Sequence, residues 1–114
     1  GLHNRRYALH HLAGMAEAAR MEGTGFTVMI VDLDRFKAVN DGWGHAAGDA
    51  VLVEVSRRLS QAVRMGDLLA RIGGEEFLVA LPDSGPDIAL QVADRLREAV
   101  QDGPVVLPGG DRLR

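Results

Sequence analysis

Two acidic clusters, Asp32-Leu33-Asp34 and Glu75-Glu76, are the residues of this chain best suited to chemistry. Hard divalent cations such as Mg2+ take carboxylate and carbonyl oxygens and usually keep some waters. Two such ions can clamp the attacking and leaving oxygens of a phosphoryl transfer. Taken singly, either cluster is more often a pair of solvated acids in a turn. Their positions carry more weight: one closes an apolar run and the other sits at a glycine turn. A hairpin lying beside that run would bring both to one edge of a sheet. Lys37 is the only lysine of the chain and falls in its densest polar segment. The plain alternative for it is a solvated cation in an arginine-rich sequence.

The elements that must position these residues follow from periodicity. Ala8, Leu12, Met15 and Ala19 recur at helical spacing between Arg5 and Met21, and Gly23-Thr24-Gly25 ends that helix. Phe26 to Val31 is an uncharged, β-branched run, the pattern of a central strand buried on both faces, and it stops at Asp32. A polar loop from Asp34 to Gly48 leads into a second helix running to about Arg64, with Leu52, Val55, Leu59 and Val63 as its stripe. Leu68–Ile72 and Phe77–Leu81 read as a hairpin around Gly73-Gly74, a pair that tolerates the positive φ of tight turns. Pro86 can open a third helix with Ile88, Val92, Leu96 and Ala99 inward, closed by Gly103, and Val105-Val106-Leu107 begins another strand. The order implies an α/β (α+β) fold, a mixed central sheet flanked by helices.

Composition excludes several classes. Hydrophobic residues at 46% and charged residues at 25% are those of an ordinary globular protein. No apolar run could span a bilayer and no signal-peptide pattern opens the chain, which makes the cytoplasm the default, with membrane tethering through a preceding region left open. The absence of cysteine removes disulfides and thiolate metal sites, leaving oxygen or imidazole ligands. A net charge of −3 argues against a nucleic-acid-binding surface.

Gly73-Gly74-Glu75-Glu76-Phe77 resembles the signature of the GGDEF family, the diguanylate cyclases, in its Glu-containing form. Gly1-Leu2-His3-Asn4-Arg5-Arg6 is similar to the family's opening segment, with His3 where many relatives have proline. Asp32-Leu33-Asp34-Arg35-Phe36-Lys37, Asn40-Asp41-Gly42-Trp43-Gly44-His45 and Gly48-Asp49 resemble its long central motif in order and spacing. The resemblance covers essentially the whole chain. It implies a palm-like nucleotidyl cyclase fold and condensation of two GTP into cyclic di-GMP and pyrophosphate. In that reaction each domain of a homodimer holds one GTP, and the 3′-hydroxyl of one attacks the α-phosphate of the other.

The resemblance also implies roles for residues. Asp32 and Glu75 would bind Mg2+ (or Mn2+), with the Leu33 carbonyl assisting and Glu76 as a further ligand. Glu75 and Lys37 would be catalytic. A metal-bound carboxylate is a poor base, however, and lowering of the hydroxyl's pKa by the metal can suffice; Lys37 would stabilise charge on the transferring phosphoryl group. Asn40 and Asp49 would read guanine, because their donors and acceptors match it and not adenine. Without the resemblance, Asp49 reads as a first-turn acid facing a helix dipole and Asn40 as a turn residue. His45, Phe36, Gly73 and Gly74 complete the expected substrate contacts, although packing is the more ordinary role for Phe36 and Trp43. Arg64-Met65-Gly66-Asp67 matches in position the family's inhibitory Arg-x-x-Asp site for cyclic di-GMP, with Arg95 as a partner from a neighbouring domain. A solvated helix terminus with a capping acid is the alternative for that motif.

Nothing here resembles the family's later strand motif or its basic closing helix. The expectation is one catalytic domain over residues 1–114, incomplete at its C-terminal end and controlled in relatives by an upstream sensory or receiver domain. Three rivals stand beside it: a catalytically inactive module that senses GTP or cyclic di-GMP, a different palm-like nucleotidyl transferase or cyclase, and an interaction module with no ligand, which would leave the polar residues unexplained.

Overall fold

The structure, a computed structural model, describes residues 5–33 and 41–101, together with the backbone of the short strands 105–106 and 112–113. The periodic segments form the expected elements. Helix α1 (Arg5–Glu22) precedes strand β1 (Phe26–Asp32), and helix α2 (His45–Ala62) leads into the hairpin of β2 (Leu68–Arg71) and β3 (Glu76–Pro82). Helix α3 (Pro86–Gln101) follows, then a two-stranded ribbon of β4 (Val105–Val106) and β5 (Arg112–Leu113). This is an α+β arrangement with helices on both faces of a sheet. Among the described residues no helix is long and apolar enough to cross a membrane.

The three-stranded sheet runs β1-β3-β2, and both its pairings are antiparallel. The expected α+β class holds; what differs, among the described strands, is the expected central position of Phe26–Val31. β3 is the middle strand of the three, and its residues Phe77 to Leu81 are all buried. In β1 the burial alternates instead, leaving Val28 and Ile30 exposed. A uniformly apolar run shows that a strand is compatible with burial on both faces; which neighbour covers each face is decided by distant chain.

Period-two alternation in β3 divides the core into two layers. Phe77, Val79 and Leu81 face α2 and α3, where Leu52, Val55, Leu59, Ala89, Val92 and Leu96 pack with them. Leu78 and Ala80 face α1, against Ala8, Leu68 and Ala70. Small residues on that second face, Ala8 at 0% and Ala80 at 0% exposure, let the helix approach the sheet closely.

The helix boundaries show which local signals were strong. Gly23, at φ +69°, terminates α1 in the left-handed conformation, and the Thr24 amide donates to the Ala19 carbonyl. α2 begins at His45, four residues before the expected start, with Gly44 at φ +90° as an N-cap that has no side chain to signal it. In α3 the buried position is Ala89 and not the expected Ile88, which is 41% exposed. At the entry to β1, Gly25 lies against the loop after β3: a Cβ there would meet the Ser84 carbonyl carbon and the Gly85 nitrogen at 2.9 Å. Only glycine fits this crossing without backbone movement.

Candidate active site

The antiparallel register of β1 against β3 determines where the acids meet. Seven consecutive pairs run from Phe26 opposite Pro82 to Asp32 opposite Glu76. Directly opposed residues share a face of the sheet with Cβ atoms about 5 Å apart, so Asp32 and Glu76 stand side by side at its end. Both are exposed. One step further, the Leu33 amide donates to the Glu75 carbonyl at 3.2 Å, so the pairing continues past β1 and fixes the backbone of Glu75 beside that of Leu33. Leu33 itself is half-buried and packs against the α2–α3 layer, which anchors this end of the strand. Asp32 and Leu33 thus meet Glu76 and Glu75 at one rim.

Like charges placed directly opposite one another destabilise a sheet. A bound cation would reverse that sign. The donor set is all oxygen, which fits Mg2+ or Mn2+ and not a softer metal. Among the described residues no three acidic or imidazole side chains cluster as a ready-made cage.

The turn between β2 and β3 is built differently from the expectation. Neither Gly73 nor Gly74 has a positive φ; among the described residues the glycines that do are Gly23, Gly44 and Gly66. The loop closes through the Glu76 carbonyl, which accepts from the amides of Ile72 at 3.0 Å and Gly73 at 3.4 Å. Arg71 spans it from outside, Nε donating to the Gly73 carbonyl at 3.1 Å and Nη2 to the Gly74 carbonyl at 2.8 Å. At position 73 a Cβ would lie 3.0 Å from Glu76 Oε1, the far end of an exposed side chain that can move aside. At Gly74 the corresponding space is open.

Further along, His45 and Asp49 lie four residues apart on α2, and both are exposed. That spacing puts them on one helix face. Because α2 starts at His45, Asp49 falls in its second turn, beyond the reach of the dipole role considered for it. Trp43 is half exposed. Phe36, Lys37 and Asn40 lie outside the described residues.

The Arg64–Asp67 segment forms a closed turn. The Asp67 amide donates to the Arg64 carbonyl at 3.1 Å, and Gly66 supplies the φ of +93° that such a turn requires. The Asp67 carboxylate, 1% exposed, accepts the Arg64 amide at 2.8 Å and the guanidinium at 3.1 and 2.9 Å. Those bonds hold the Arg64 guanidinium above its ordinary pKa. The same guanidinium also donates to the buried Ser84 hydroxyl at 2.8 Å, and that hydroxyl donates to the Pro82 carbonyl at 2.9 Å. Ser84 is further tied to the start of β1, since the Thr27 hydroxyl donates to its carbonyl at 3.0 Å. The arginine is therefore not simply solvated at a helix end. Arg95 is exposed on α3.

Arg71 and Ser84 were not singled out in the sequence. An arginine two residues before a glycine pair is the only trace of the first, and Ser84 carries no local signal of its burial.

Comparison with known proteins agrees with this arrangement. The diguanylate cyclase GGDEF domain family matches residues 1–111. The response regulator PleD of Caulobacter vibrioides is 42% identical over 99% of this chain, which spans 25% of that protein. The GGDEF domain of TpbB (YfiN) from Pseudomonas aeruginosa superposes with a TM-score of 0.92 at 37% identity, covering 98% of this chain and 65% of that one. The GGDEF domain of DgcB from Caulobacter crescentus, solved in complex with c-di-GMP, gives 0.92 at 27% identity, over 99% and 67% respectively. With its acids meeting at the sheet's end and the signature turn beside them, this chain belongs to the GGDEF family of diguanylate cyclase domains.

Proposed function

We propose that this chain condenses two molecules of GTP into cyclic di-GMP with release of pyrophosphate, working as a homodimer in which each copy holds one substrate. The observation that supports the proposal is the register pairing of Asp32 with Glu76, continued by the Leu33–Glu75 bond, which brings the backbones of these acidic residues to one rim. Asp32 and Glu75, with Glu76 and the Leu33 carbonyl, are the residues that would hold Mg2+ or Mn2+. Such an ion, when bound, supplies charge neutralisation on the phosphates and lowers the pKa of the attacking 3′-hydroxyl. Gly73 and Gly74 admit the nucleotide close to the backbone, Asp49 and Asn40 select guanine, His45 and Phe36 line the substrate, and Lys37 opposes charge on the α-phosphate. The chain spans a third or less of its curated relatives, and an upstream sensory or receiver domain would set the dimer.

The test is chromatography of GTP incubated with Mg2+ and the dimerised protein. GTP should disappear as the cyclic dinucleotide and pyrophosphate form, and stop doing so when the metal is chelated. A folded dimer that binds GTP without consuming it would establish the sensor reading instead.

Cyclic di-GMP is further proposed as an inhibitor bound at Arg64 and Asp67, with Arg95 contributed by a neighbouring domain. The relative solved with c-di-GMP supports this. Because Arg64 now pairs with a buried carboxylate, Arg64→Ala should both weaken product inhibition at least tenfold and cost about 1–3 kcal/mol of stability. Inhibition measured with added product, alongside denaturant unfolding, separates the two effects. Undiminished inhibition in a folded variant would remove the site.

A further inference from the structure

Arg71 is exposed at the end of β2, yet its guanidinium is directed onto two neutral carbonyls, those of Gly73 and Gly74. Hydrogen bonds from a cation are stronger than those between neutral groups, and the rigid planar fork of arginine can hold two acceptors at once. The turn has need of such a restraint. Its glycines are the residues with most backbone freedom, and neither is held in a left-handed well. In a planar trans peptide the carbonyl and the following amide point opposite ways. Fixing the carbonyls of Gly73 and Gly74 toward Arg71 therefore also orients the amides of Gly74 and Glu75. On its other side Glu75 is fixed by its carbonyl's bond with the Leu33 amide. The residue proposed as the central metal ligand and catalytic carboxylate is thus held from both flanks, one of them governed by Arg71.

We infer that Arg71 is a positioning residue for the condensation, locking the glycine carbonyls so that the backbone of Glu75 is held beside Leu33, at the rim that carries Asp32, before substrate arrives. The inference rests on the GTP-condensing reading of the site. Misplacement of a reacting group by about 1 Å can cost ~10²-fold in rate, so a restraint of this kind has a measurable consequence.

The experiment compares Arg71→Ala, Arg71→Lys and the control Arg20→Ala in the dimerised protein, Arg20 being an exposed arginine that pairs within α1 with Glu17. Without nucleotide, amide hydrogen exchange at Gly73–Glu76 should quicken at least tenfold in Arg71→Ala while the global unfolding midpoint stays near that of the control. With GTP, kcat should fall by about 10²-fold while KM stays within about threefold. The half-saturating Mn2+ concentration, read by electron paramagnetic resonance with a non-reactive GTP analogue, should rise. Arg71→Lys should recover only part of these losses, because an ammonium cannot bridge both carbonyls, and added guanidinium should partly rescue Arg71→Ala. Unchanged exchange at the turn overturns the inference. So does a raised KM with kcat retained, which would make Arg71 a substrate contact. If the unsubstituted protein does not consume GTP, the functional reading fails on its own, and the exchange and Mn2+ measurements still decide whether Arg71 holds the turn.

Discussion

Asp32→Asn is expected to abolish GTP condensation while leaving the protein as stable as before, or slightly more so. Removing one charge-stabilising group from a phosphoryl-transfer site costs about 10²–10³-fold in rate. Stability should move the other way. Asp32 and Glu76 are directly opposed across β1 and β3, and two carboxylates so placed repel one another. Neutralising one relieves that repulsion, for a gain of about 0.2–1 kcal/mol in metal-free buffer. Added Mg2+ should raise the melting midpoint of the unsubstituted protein with a GTP analogue present and leave the variant largely unmoved. Calorimetry with and without metal, alongside a chromatographic rate, measures both halves. A variant that kept near-normal turnover, or that lost activity by unfolding, would contradict the account of the rim.

The opposite pairing of effects is expected at the adjacent residue. Phe77→Ala should cost about 3–5 kcal/mol, a large share of the roughly 5–15 kcal/mol that holds a domain folded. Phe77 is 0% exposed, lies opposite Val31, and belongs to the layer formed with α2 and α3. Truncating it opens a cavity next to the turn that carries Glu75 and Glu76. Activity should fall because the folded fraction falls, and Phe77→Leu should restore most of it by refilling the space. Urea unfolding followed by far-ultraviolet circular dichroism gives the comparison. A cost below about 1 kcal/mol would mean that this phenylalanine is not the wedge its burial indicates.

Much of the fold was legible because it is local. Ala8, Leu12, Met15 and Ala19 identify α1, and Leu52, Val55 and Leu59 identify α2, since helical spacing needs no knowledge of the partner surface. Gly23 marked a helix end for a reason internal to its own backbone. The failures have the opposite character. Phe26–Val31 and Phe77–Leu81 are both uncharged apolar runs, and nothing within either says which becomes the middle strand. The start of α2 was missed because Gly44 caps it without a side chain, while Asp49 further on offered a more familiar signal. Gly73-Gly74 suggested left-handed turn residues, whereas the turn is held by Arg71 and by the Glu76 carbonyl, which accepts from the Ile72 and Gly73 amides.

The site was legible to the extent that each acidic cluster lies where a strand terminates, so a single neighbour relation brings them together. Arg64–Asp67 was recognisable as a motif, but its tie to Ser84 joins residues twenty positions apart and required the folded chain. Phe36, Lys37 and Asn40 lie outside the described residues, so their expected contacts rest on the motif alone.

Strict one-to-one register along all seven pairs of β1 and β3 makes the spacing between Arg71 and Phe77 a parity constraint. Because successive side chains alternate sides, deleting one residue from the loop would turn Phe77 outward, or slide the strand and part Asp32 from its acidic neighbour. Natural variation in this stretch should therefore be confined to exchanges of one side chain for another, and insertions or deletions of odd length should be tolerated only in copies that have given up turnover.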